Sequence, residues 1–234
     1  MRQIVIDTET TGLEPAKGHR IIEIGCIELN NRRVTGNNFH QYINPNREVD
    51  EDALAIHGIT NKSLSDKPTF IEIMEEFLAF INGAEIIAHN ASFDVGFLNH
   101  EIKLTGKNKG SIADYATVID TLAIARKKFP GERNTLDAIC KRYKIDLSGR
   151  TLHGALLDAE LLTEAYLLMT GGGQSSLFSD NFDDEIEPLS SFEPAMESND
   201  GTSRPKNPVI YASDQELAAH ASLLEMIKKR SGKL

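Results

Sequence analysis

Five residues have the side chains and spacing to do chemistry together: Asp7, Glu9, Asp94, His153 and Asp158. Asp7 and Glu9 follow the β-branched run Ile4-Val5-Ile6, which reads as a buried strand. Alternation turns positions i and i+2 to one face, so both carboxylates point the same way near the place where the strand would run out. Two like charges there repel each other and lose hydration. A divalent cation is a natural partner, although Asp-x-Glu taken alone is also compatible with a strand cap of two solvated acids. The Thr10-Thr11-Gly12 turn that follows would let backbone approach closely.

Asp94 follows a short apolar run and falls in the first turn of a helix, with Phe97 and Leu98 at i+3 and i+4. Asp158 has Leu161, Leu162 and Ala165 at i+3, i+4 and i+7, so an ionisable residue sits on the packing face of its helix. Buried acids without partners are rare. His153 lies five positions earlier, roughly 140° away on a regular helix. Gly154 allows it to sit on the preceding loop, where an imidazole can titrate near neutral pH. Four carboxylates buried together need cations. Two Mg²⁺ or Mn²⁺ ions about 4 Å apart would balance them and form a clamp suited to phosphodiester cleavage.

The elements that must position these groups are legible in order. Strands are expected at Ile4–Ile6, Arg20–Leu29 and Val34–Ile43, the third nearer a sheet edge, joined as an antiparallel meander. That opening is unlike a dinucleotide-binding fold. Helices follow over Asp50–Ile56 and from Thr69, a capping box with Glu72, to about Ile81. A short strand at Ala84–Ala88 leads to a helix ending near Ile102, then a basic loop from Lys103 to Gly110. A strand at Thr117–Ile119, a helix capped by Asp120, a helix capped by Asn134 and a final helix to about Met169 complete the body. A meander followed by strands alternating with helices predicts an α/β fold, a ribonuclease H-like mixed sheet flanked by helices, over residues 1–170.

Composition narrows the setting. The chain of 234 residues has 40% hydrophobic content, enough for one domain and an appendage. Cys26 and Cys140 read as reduced thiols, and the chain enters its first strand without a targeting segment, so a cytoplasmic location is expected. The net charge is −10, and Gly171–Ser203 alone holds eight acids and no Lys or Arg, leaving −2 elsewhere. The near-neutral body is unsuited to tight autonomous binding of a phosphate backbone. Residues 171–208 read as a disordered acidic linker, and 209–234 as a helical segment with Leu217, Ala221, Leu224 and Ile227 on one face.

Three motifs carry a resemblance: Asp7-Thr8-Glu9-Thr10-Thr11-Gly12, His89-Asn90-Ala91-Ser92-Phe93-Asp94 and His153-Gly154-Ala155-Leu156-Leu157-Asp158-Ala159. In wording and order they resemble the DEDD exonucleases of the histidine subgroup, over residues 1 to about 170. Within it, Val49–Thr60 is similar to the stretch beside the active site of the proofreading subunits of bacterial DNA polymerase III.

The resemblance implies 3′→5′ exonuclease action on DNA with release of 5′-mononucleotides. It implies that Asp7, Glu9 and Asp158 hold one metal, that Asp7 and Asp94 serve a second, and that His153 is the general base. It also implies Thr10, Thr11, Gly12, Leu13 and His57 as neighbours of the frayed 3′ base. Gln174-Ser175-Ser176-Leu177-Phe178 resembles a sliding-clamp peptide, with Gln174, Leu177 and Phe178 as contacts and Ser175 weakening it. The 209–234 segment would then anchor the chain on the polymerase III α subunit. An exoribonuclease of the ribonuclease T or oligoribonuclease kind is the alternative, disfavoured by the long acidic tail. A non-catalytic scaffold is disfavoured by the presence of all five site residues.

Overall fold

The computed structural model describes residues 1–150 and 152–171. The expected acidic linker beyond Gly171, the clamp peptide at 174–178 and the 209–234 segment lie outside the described residues.

Five strands form one mixed sheet: β1 (Arg2–Thr10), β2 (Ile21–Asn30), β3 (Arg33–Tyr42), β4 (Glu85–Ala88) and β5 (Thr117–Asp120). Their order is β3-β2-β1-β4-β5. The β1–β2–β3 meander is antiparallel, whereas β4 and β5 join β1 in parallel. Among the described residues seven α-helices accompany them: α1 (Glu51–His57), α2 (Asn61–Leu64), α3 (Phe70–Ile81), α4 (Ala91–Leu104), α5 (Thr121–Lys128), α6 (Leu136–Tyr143) and α7 (Ala155–Met169). The expected mixed, helix-flanked sheet is what forms.

Alternation along β1 divides the core. Ile4 and Ile6 face Phe77, Phe97 and Leu98 of α3 and α4. Val5 faces Ala159, Leu162 and Tyr166 of α7. A further cluster ties Ile139 and Cys140 of α6 to Leu161 and Ala165 of α7. Helix α7 is thus covered on two sides, which is why an apolar stripe understates how much of it is buried.

Three details depart from the sequence reading. β1 does not run out at Asp7 and Glu9; it continues through them to Thr10 because β2 pairs with it through Glu9↔Glu23 and Thr10↔Ile21. On its other edge the β4 pairing ends at Val5↔Ile87, so Asp7 and Glu9 lie where the strand is open on one side. The cap of α6 is Thr135, whose hydroxyl accepts the Ala138 N–H, and not Asn134. The Asn134 amide instead donates to the Phe129 and Glu132 carbonyls. The one-turn α2 was not anticipated, since four residues are too short to show a helical period.

Candidate active site

The open end of β1 is where the sequence-predicted acids converge. Asp7 and Glu9 share the face of Val5 and look toward α7, which carries Asp158. Thr8 looks the other way, toward α4, and its hydroxyl donates to Asp94 Oδ1 at 2.7 Å. Asp94 and Asp158 are each 3% exposed. Each sits in the first turn of its helix, where unpaired N–H groups and the dipole ease a negative charge.

A missing side chain lets α7 reach the sheet. Gly25 stands opposite Asp7 on β2. A Cβ there would overlap the backbone of Ala155 and Leu156. Beside it Glu23, opposite Glu9, accepts the Ala155 N–H on Oε2, and its Oε1 pairs with His40 Nε2 at 2.7 Å.

Ligand atoms of Glu9, His153 and Asp158 lie within 4.8 Å of one another. Asp7 and Asp94 are outside that set but act on it through their charges. Burial, then Asp158 and Glu23, push Glu9 up to about 8. Burial raises Asp94 to about 7 despite its bond from Thr8. Burial, followed by Asp94, Glu9 and Asp158, lifts Asp7 well above the carboxylate range. Crowded oxygen donors with too little positive charge among them suit a hard divalent cation, so the residues present fit the metal.

His153 precedes α7, its ring 45% exposed, with Nδ1 3.2 Å from Asp158 Oδ2. Arg150, which sequence reasoning missed, stands against both. Its Nε and Nη2 donate to the two oxygens of Asp158, each at 2.6 Å, and Nη2 approaches His153 Nδ1 at 2.9 Å. A guanidinium has no acceptor, so in this contact Nδ1 can serve only as the acceptor. Nη1 reaches Asp137. Burial works against the charge of Arg150, but Asp158 and Asp137 outweigh it and hold the group above its ordinary range. No spacing rule marks Arg150, because its partners come from separate elements.

Beside the acids lies a pocket of about 300 Å³. Thr10, Gly12, Leu13 and His57 line it, together with Ala53, Ile56 and Phe93. Thr11 does not; it is fully buried, and its N–H and hydroxyl tie the turn to Arg20. Gly12 is needed for contact with His19, whose ring would lie 2.7 Å from an added Cβ. His57, only 5% exposed, accepts the Ile59 N–H on Nδ1, while its Nε2 finds no hydrogen-bond partner among the described residues. His89 bridges Thr121 and the Asn134 carbonyl and so braces the loop before α4.

Comparison with known proteins agrees with this geometry. Residues 4–166 match the family described as Exonuclease. The DNA polymerase III subunit epsilon of Escherichia coli (strain K12) is 48% identical over 235 residues, covering 99% of this chain and 95% of that protein. The protein of that name from Rickettsia prowazekii (strain Madrid E) is 46% identical over 227 residues, 97% of each. Exonuclease X in complex with 5′ overhanging duplex DNA superposes with a TM-score of 0.54 at 27% identity, over 73% of this chain and 93% of that one. The nuclease domain of 3′hExo, a DEDDh family member bound to rAMP, shares the fold with a TM-score of 0.63 at 21% identity, over 74% and 92%. The acid-lined end of β1 and a likeness that runs through nearly the whole chain lead to one assignment: this chain belongs to the DNA polymerase III epsilon subunits, proofreading 3′→5′ exonucleases of the exonuclease family.

Proposed function

We propose that the chain removes nucleotides one at a time from a frayed 3′ DNA end, using Asp7, Glu9, Asp94 and Asp158 to hold two divalent ions and His153 as general base. The observation that carries this reading is the meeting of Glu9, His153 and Asp158 at the open end of β1, with Asp7 and Asp94 alongside. Asp7, Glu9 and Asp158 would hold one Mg²⁺ or Mn²⁺, and Asp7 with Asp94 would serve the second. When bound, these ions stabilise negative charge on the attacking and leaving oxygens.

The chain's own residues do the rest. The pocket lined by Thr10, Gly12, Leu13 and His57 takes the terminal nucleotide and sets the phosphodiester over the acids. His153 takes a proton from the attacking water. The new bond joins that oxygen to phosphorus, the bond to the 3′ oxygen of the preceding nucleotide breaks, that oxygen takes up a proton from solvent water to become the new 3′ hydroxyl, and a 5′-mononucleotide leaves. Thr11 acts indirectly, by holding the turn.

In the cytoplasm the chain would work on a polymerase. The 209–234 segment supplies the anchor for the polymerase III α subunit, and Gln174, Leu177 and Phe178 a weaker contact with the sliding clamp. Support for a replicase role comes from the high identity to epsilon subunits over nearly the whole chain, which also counts against the exoribonuclease reading. The test is to incubate the purified full chain with Mg²⁺ or Mn²⁺ and end-labelled DNA and RNA oligonucleotides. DNA should be shortened from its 3′ end in preference to RNA, and Asp7→Ala should abolish this. Undiminished cleavage by that variant would refute the site.

A further inference from the structure

Arg150 holds a place that belongs to a cation. Asp158, 3% exposed, has each oxygen paired with a guanidinium nitrogen at 2.6 Å. The same group reaches His153 Nδ1 and Asp137. It is also the cation that counters the acid crowding at both Asp7 and Glu9. Yet Asp158 is one of the carboxylates that the two-ion reading needs for a metal, and a divalent ion and a guanidinium on one carboxylate repel each other.

We propose that Arg150 is an exchangeable counter-cation: it neutralises Asp158 in the metal-free protein and gives up that carboxylate when a divalent ion is taken up. This rests on the proposed function above. The placement of Arg150 suits an exchange better than a fixed brace. It lies on the loop before α7, outside any helix or strand, and its side chain, 8% exposed, is held between Asp158 and Asp137, so an exchange shifts it within the site from one carboxylate toward the other. Asp137, half exposed at the start of α6, gives the displaced guanidinium a partner. A charged group that leaves Asp158 therefore need not be stranded without a counter-ion. The exchange also releases His153, since the Nδ1 lone pair is engaged for as long as Arg150 donates to it. Metal uptake and the freeing of the base then become one event.

The test is Mn²⁺ binding to the full chain by isothermal titration calorimetry, which needs no substrate. Arg150→Gln should bind Mn²⁺ on the order of tenfold more tightly, because the ion no longer competes with a positive charge at contact distance. Its melting temperature in EDTA should fall below that of the parent, and Mn²⁺ should restore more of it. Asp137→Asn, an exposed change, loosens Arg150 and should tighten Mn²⁺ binding by less. A crystal structure with Mn²⁺ should show Arg150 off Asp158 and still near Asp137. Affinity unchanged or weakened in both variants, with Arg150 still on Asp158 in the Mn²⁺ structure, would overturn the exchange and make Arg150 a brace. Asp7→Ala separates the two ideas: if it binds Mn²⁺ as the parent does, the metal-site reading itself fails.

Discussion

Glu23 Oε2 accepts the backbone N–H of Ala155 at 3.1 Å, a bond that joins β2 to the first turn of α7 across 132 residues of sequence. Glu23 is 2% exposed, and its other oxygen is held by His40. The helix end offers an N–H without an intrahelical partner, and the carboxylate fills it. Because Glu9 lies directly across from Glu23, this one bond sets how far Asp158 stands from Glu9.

Glu23→Ala should therefore lower turnover by about 10²-fold at saturating Mn²⁺, the scale of a small misplacement of a catalytic group. Glu23→Gln keeps an oxygen for the Ala155 N–H and should retain most activity. Steady-state hydrolysis of a single-stranded oligonucleotide by both variants decides it. Equal loss in the two would mean that charge, and not position, is what Glu23 supplies.

Gly25 makes the same closure possible by having no side chain. Gly25→Val forces β2 and the Ala155–Leu156 backbone apart and should destabilise the protein by about 1–3 kcal/mol or more in urea denaturation. Mn²⁺ affinity should drop with it, since Asp158 moves with α7. Full stability in Gly25→Val would mean that α7 approaches the sheet less closely.

The acids pair the metal-free fold to pH in a definite direction. Glu9 titrates near 8 and Asp94 near 7 in the folded protein, above their ordinary values of 4.5 and 3.8. Between the ordinary and raised values the folded state binds more protons than the unfolded one, so stability falls as pH rises. The contribution is fully present below about pH 4 and lost by about pH 8. In EDTA the melting temperature should fall by several degrees from pH 5 to 8.5, and the gain from added Mn²⁺ should grow over the same range. A melting temperature in EDTA that rises toward alkaline pH would contradict the crowding.

Much of this was legible in the chain. Asp7 and Glu9 declare themselves by alternation, Asp158 by helical spacing, and the β1–β2–β3 meander by its turns. These are local periodicities, and a periodicity is visible in one stretch of sequence. What escaped was what depends on two distant stretches meeting. Gly25 looks like any glycine in a strand until Ala155 is placed above it. Glu23 looks like a solvated acid until it meets the end of α7. Thr11 shares a motif with Thr10 but points away from the pocket, because the turn needs it for Arg20.

His153 can be read two ways from geometry alone, since its ring nitrogen lies close enough to Glu9 and Asp158 to join them as a ligand. A base and a ligand fail differently when removed. As the base, His153→Ala should lower kcat by about 10²–10⁴-fold while leaving Mn²⁺ affinity close to that of the parent. As a ligand, the same variant should lose Mn²⁺ affinity, and excess Mn²⁺ should restore turnover. The ring is 45% exposed and sits on a loop ahead of α7, so its loss should cost little stability and both readouts stay interpretable. Asp7, Glu9 and Asp158 supply enough negative charge for an ion without the imidazole, and a half-exposed ring at the edge of the acids is better placed to meet a water than to complete a metal shell. The expected outcome is a collapse of kcat that no concentration of Mn²⁺ repairs.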